Sequence, residues 1–122
     1  MATEFIRKTM ADVPTSAVPN TSNANNDLYT AGANTDSVII GLLLTNKSGA
    51  SITADVMIEV QSGQGENVYL VKGAQVPVGS ALEVISGKVV VANTGGGTGD
   101  TLQVRCDTAS ALDATVSILE NT

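Results

Sequence analysis

The side chains able to do chemistry in this sequence are few, and their spacing argues against most reactions. Histidine is absent, which removes the commonest general base and the commonest metal ligand. The single cysteine, Cys106, excludes an intramolecular disulfide and any multi-cysteine zinc site. Without histidine it has no Cys–His pair to make it a nucleophile. In register with Leu102 and Val104 it reads as a small buried hydrophobe. Asp55 and Glu59 share a face of what reads as a strand, but strand rise puts them roughly 13 Å apart, too far to share a proton or a metal. Asp100, Asp107 and Asp113 flank turns, where Asp commonly accepts local backbone N–H groups. They lack the spacing of an EF-hand, and a calcium site built from loop acids stays open. The glycines from Gly95 to Gly99 are followed by Asp100-Thr101-Leu102, which opens a strand. A phosphate cradle needs a helix N-terminus with Lys and Ser or Thr behind it, so this cluster reads as a loop. No Gly-x-Ser-x-Gly elbow is present. The sequence predicts no catalytic site, no cofactor and no metal.

The elements that would position these groups are strands. Ile52, Ala54, Val56, Ile58 and Val60 alternate with Thr53, Asp55, Met57, Glu59 and Gln61, the pattern of a half-buried strand. Leu102 to Asp107 and Ala114 to Leu119 alternate in the same way. Ser37 to Thr45 is apolar on both faces, as in a strand covered from both sides or buried between subunits. Asn67 to Lys72, Ala81 to Ile85 and Lys88 to Ala92 supply shorter strands. Asn46-Lys47-Ser48-Gly49 reads as a hairpin turn joining the first two long strands. Gly63-Gln64-Gly65 and Ser86-Gly87 mark further turns. No segment keeps a helical period. With only three aromatic residues, the core must be built from Val, Ile, Leu and Ala. The length of 122 residues suits one domain. These features predict an all-β fold, an antiparallel β-sandwich of jelly-roll or immunoglobulin-like type, over residues 37–122.

Residues 1–36 read differently. A mixed start, Glu4 to Met10, leads into a stretch rich in Pro, Ser, Thr and Asn, with Pro14 and Pro19 breaking any helix. This predicts an extended N-terminal arm or linker. Phe5, Ile6 and Met10 are apolar groups that a free tail would not need. They are expected to dock on a neighbouring subunit or another protein, by strand addition or in an apolar groove.

Twelve acids against six bases give a net charge of −6, with the bases dispersed. Such a chain cannot neutralise a phosphate backbone, so nucleic acid is not an expected partner. The longest apolar run, Val38 to Leu44, is far short of the about 20 residues of a spanning helix, so no membrane partner is expected either. The N-terminus has no signal-peptide core, which predicts synthesis in the cytosol. The surplus apolar residues predict a homo-oligomer, a trimer slightly preferred, with Ile39 and Leu43 at a subunit interface. The apolar crossover around Val76, Pro77 and Val78 is a second candidate contact.

The stretch Tyr69 to Val84, with its block Val76-Pro77-Val78-Gly79-Ser80-Ala81-Leu82-Glu83, is distinctive. With Gly99 to Val104 and Ala114 to Glu120, it resembles the small β-sandwich minor structural proteins of tailed bacteriophages, in particular those of cyanophages. The resemblance runs from Ser37 to the C-terminus. It implies a virion component present in many copies, made in the host cytoplasm, without enzymatic activity. The implied roles are capsid decoration, cement or head–tail accessory, and the implied partners are other virion proteins such as the major capsid protein. The competing expectation is a carbohydrate- or receptor-binding module of a phage tail or fibre. Sugar sites usually present aromatic platforms, for which only Tyr29 and Tyr69 are suitable.

Overall fold

Two-residue alternation becomes two antiparallel sheets packed face to face in the computed structural model, which describes residues 3–20, 25–61, 65–85, 87–93 and 99–121. The strands are β1 (Thr3–Met10), β2 (Asp27–Thr30), β3 (Thr35–Asn46), β4 (Ile52–Glu59) and β5 (Val68–Val76). They continue with β6 (Ala81–Glu83), β7 (Val89–Asn93), β8 (Thr101–Cys106) and β9 (Leu112–Asn121). One sheet runs β1-β9-β3-β6, with β7 pairing the other end of the same β3 edge; the second runs β2-β8-β4-β5. If β6 and β7 are counted as the halves of one broken strand, this order is that of a jelly roll, two interleaved Greek keys. The expected antiparallel sandwich is what the chain forms. Its core is aliphatic, centred on Ile39, Leu42, Leu44, Val56, Leu102, Val104, Val116 and Ile118.

Four features depart from the sequence reading. First, Asn46 to Gly49 is an arch between sheets and not a hairpin. β3 already pairs with β9 on one edge and with β6 and β7 on the other, and β4 lies between β8 and β5. The Asn46 side chain holds this corner, donating from Nδ2 to the carbonyls of Ala50 (2.8 Å), Val76 (2.9 Å) and Pro77 (3.2 Å). Its Oδ1 accepts from the backbone N–H and hydroxyl of Ser48, each at 2.8 Å.

Second, the N-terminal third is not a separate arm. β1 lies along β9 in unbroken register from Thr3↔Asn121 to Met10↔Ala114, β2 pairs with β8, and the expected boundary at residue 36 falls inside β3. Val13, Leu28, Tyr29 and Ala31 are buried in the core. Burying these groups offsets the conformational entropy that a free arm would keep.

Third, β4 is buried on both faces from Ala54 to Glu59, and residues 15–20 cross the outer face of its sheet. Fourth, Ile39 is fully buried in the core, while Leu43 faces outward and is 41% exposed. The register of β3 against β9 slips between Ile39 and Gly41, so Ile40 is an extra residue and the alternation changes phase there. The expected turns at Gly63-Gln64, Ser86 and Gly95 to Thr98 lie outside the described residues, as do Thr21 to Ala24 of the expected linker.

Candidate assembly surface

The groups that could do chemistry are each committed to a structural partner. Asp55 points to the outer face of the β2-β8-β4-β5 sheet, where it accepts from the Gly73 backbone N–H at 2.6 Å and from Arg105 Nη1 at 3.4 Å. Lys72 Nζ stands 4.0 Å from the same carboxylate. Gly73 has φ +65° at the point where β5 carries an extra residue against β4. The carboxylate therefore caps a bulge that glycine makes possible. Glu59 accepts from Gln61 Nε2, and Asp100 accepts from the N–H groups of Gln61 and Ala92. Cys106 is fully buried, and burial pushes its thiol pKa up, which keeps it protonated and unreactive. Tyr29 OH bonds to Ser37 Oγ and donates to Glu120 Oε2 at 2.6 Å, inside the sandwich. Among the described residues no group of three or more acids or cysteines could hold a metal ion.

The two outer faces of the sandwich are unlike. On the β2-β8-β4-β5 sheet, Gln103, Met57 and Tyr69 form one outward row across three strands. Residues 15–20 lie over it. Arg105 Nε donates to the Thr15 carbonyl at 3.1 Å, and Tyr69 OH donates to the Val18 carbonyl at 3.3 Å. Gln103 both accepts from the Asn20 N–H and donates to the Asn20 carbonyl, each at 3.1 Å. Asn26, fully buried, ties the strap to β8 by donating from Nδ2 to the carbonyls of Ser16 and Val104. The strap's backbone thus bonds to side chains of the sheet below and covers the β8 and β4 part of this face, while Tyr69 on β5 stays 39% exposed.

The β1-β9-β3 face has no such cover among the described residues. Register places Phe5, Leu119, Val38 and Val90 side by side across β1, β9, β3 and β7, all outward. Phe5 is 76% exposed and Val90 56%. Ile40 and Leu43, each 41% exposed, extend the patch along β3. Those four residues leave on the order of 400 Å² of apolar surface in water, a patch size that marks interaction sites on monomers.

The expected contact residues divide between this face and the interior. Phe5 and Leu43 are on the exposed face; Ile6 and Met10 are half-buried on the inward side of β1, packed against the core. Ile39 and Val76 are fully buried. Pro77 and Val78 are exposed in a tight turn closed by the Ser80 N–H on the Pro77 carbonyl, with Gly79 at φ +68°. The turn leads into β6, which pairs with β3 at Leu43 to Thr45, so it adjoins the Leu43 end of that face. Val38, Ile40, Val90 and Leu119 were not singled out from sequence; the signal available was the apolarity of both faces between Ser37 and Thr45. Of the two tyrosines Tyr29 is buried, while Tyr69 is 39% exposed with Lys72 Nζ 4.6 Å from its ring centroid. No protein-family model, curated protein or solved structure matches the chain.

Proposed function

We propose that this chain is a non-enzymatic structural protein of a bacteriophage virion, a capsid decoration or head–tail accessory that assembles with copies of itself and with other virion proteins. The observation that carries the reading is the asymmetry of the sandwich: residues 15–20 cover the β8 and β4 part of one outer face, and the other presents Phe5, Val38, Ile40, Leu43, Val90 and Leu119 to water. A chain that uses its own segment to cover one sheet and leaves an apolar face on the other is built to have that face covered by a partner. Two further points support the reading: the phage-like block from Val76 to Glu83, and a jelly-roll strand order, an architecture that recurs in viral capsid and lectin domains. The second is an analogy at the level of fold. The lectin-like alternative is less well supported, because Tyr69 alone is exposed and Lys72 lies over its ring.

Quantitative mass spectrometry of purified particles tests the proposal. Many copies per particle are expected, and the double variant V38K/L43K should be made and folded yet left out of particles. Absence of the wild-type chain from particles, or incorporation of the variant at wild-type level, would overturn it.

A further inference from the structure

We propose that β1 is a two-fold dimerisation strand, which pairs antiparallel with β1 of a second copy so that Ile6 meets the partner's Ile6 on the axis. This deepens the assembly reading above by naming one partner and one contact.

The first observation is the edge itself. β1 ends its sheet, and no described strand lies along its far side, so its outer N–H and C=O groups form an open template. It is also the longest regular edge. β5, the edge of the other sheet, is broken by two register shifts, β2 has four residues and a shift, and β6 has three residues. β1 runs from Thr3 to Met10 without a shift.

The second observation is the sequence along that edge. A two-fold axis perpendicular to the sheet keeps each side chain on its own face, so facing residues must both be inward or both outward. With Ile6 on the axis, Glu4 faces the partner's Lys8, Phe5 faces the partner's Arg7, and Thr3 faces the partner's Thr9. The charges are complementary, the guanidinium meets an aromatic ring, and the threonines meet each other; each of these is a favourable cross-strand pair. Moving the axis to Arg7 would oppose Arg7 to itself and Ile6 to Lys8. Moving it to Phe5 would set Glu4 against Ile6 and leave Lys8 without an acidic partner. The segment is complementary to itself in one register only.

Three details fit this pairing. Among the described residues Glu4, Arg7 and Lys8 take part in no ion pair. Glu4 stands opposite Glu120 on β9, a like-charge neighbour that a cation from the partner would relieve. Phe5, the most exposed large apolar side chain described, gains cover from Arg7 of the partner subunit. The contact is isologous, so it closes as a dimer, whereas a trimer needs two different surfaces.

The test is sedimentation velocity of the full chain across the micromolar range, with circular dichroism to confirm folding. Wild type is expected to dimerise. E4K and K8E, each of which sets like charges against each other twice per dimer, should weaken the dimer by about tenfold or more. The double variant E4K/K8E restores complementarity in this register and should recover wild-type affinity. An equimolar mixture of the two single variants should form a heterodimer tighter than either homodimer. Oxidation should link I6C across the axis but not F5C, because only residue 6 faces itself; Cys106 is buried and does not interfere. A wild-type monomer or trimer, no rescue in the double variant, or equal cross-linking of F5C would overturn the proposal. Particle incorporation, read separately, decides the assembly reading whichever way this test falls.

Discussion

Replacing Asn46 with Ala should destabilise the fold by about 1–3 kcal/mol, with no loss of apolar packing to account for it. Asn46 is 3% exposed, and its amide joins the end of β3, the Ala50 carbonyl of the arch and the Val76 and Pro77 carbonyls that end β5. Alanine removes both amide hydrogens and leaves these acceptors facing a methyl group, in a corner where the Val76 bond is fully buried. A buried polar group left unpaired costs about 1–3 kcal/mol; the Val76 carbonyl is the one exposed to that cost, since the Pro77 carbonyl keeps the Ser80 N–H and hydroxyl. Ser48 loses its acceptor too, but its hydroxyl keeps the Ala50 carbonyl at 2.9 Å. Urea unfolding should show a lower midpoint with unchanged slope, since the exposed surface does not change. N46D sharpens the test. It keeps the acceptor for Ser48 but points a carboxylate oxygen at three carbonyls, so it should be worse than N46A at neutral pH and recover partly on acidification, when the protonated acid can donate. A cost below about 1 kcal/mol for N46A, or N46D equal to N46A at neutral pH, would refute the argument.

Burial first, and then the hydrogen bond to Glu120, raise the Tyr29 pKa to about 12. The neutral phenol therefore contributes stability that is complete below pH 10.0 and lost as pH rises through about 12, on the order of 2–3 kcal/mol. Y29F should flatten this alkaline loss, as followed by chemical unfolding at stepped pH. The hydrogen bond from Lys47 holds the Asp113 carboxyl below the usual range, and the Thr53 backbone N–H does the same for Asp107. Their stabilisation is present above the unfolded value of 3.8 and fades as pH falls through the lower folded values, so D107N/D113N should lose less stability in acid than wild type. At Gly99 an added Cβ would stand 2.4 Å from the Ala31 carbonyl oxygen and 2.8 Å from Asn93 Cβ. G99A should therefore lower the melting midpoint by several degrees, about 2 kcal/mol or more, despite the small size of the change.

Strand positions were legible in the sequence where one face is apolar and the other polar. β8 and β9 alternate cleanly, and their limits agree with the periodicity to within a residue or two. β1 was hidden because an edge strand with Arg7 and Lys8 has too few apolar residues to show a period, and because its partner, β9, lies at the other end of the chain. β2 was hidden by brevity: Leu28 and Tyr29 are adjacent and both buried, which no two-residue alternation reports. The arch at Asn46 uses the Asn, Ser and Gly of a hairpin turn, and only the pairing of distant strands decides between the two. Ile39 and Leu43 would share a face in a regular strand; the extra residue at Ile40 separates them, and a bulge leaves little mark in composition. The site was therefore half legible. An excess of apolar residues between Ser37 and Thr45 announced a surface to be covered, but not which of them would line it.

Hydroxyl-radical footprinting with mass spectrometry, on the isolated chain and on the chain in purified particles, tests the central claim most directly. Ile40, Leu43 and Val90 should react readily in the isolated chain and lose most of that reactivity in the particle, while Val68, 50% exposed on β5 of the other sheet, serves as the internal reference. If Ile40, Leu43 and Val90 react equally in both states, or the chain is missing from the particles, the β1-β9-β3 face is not an assembly surface of a virion.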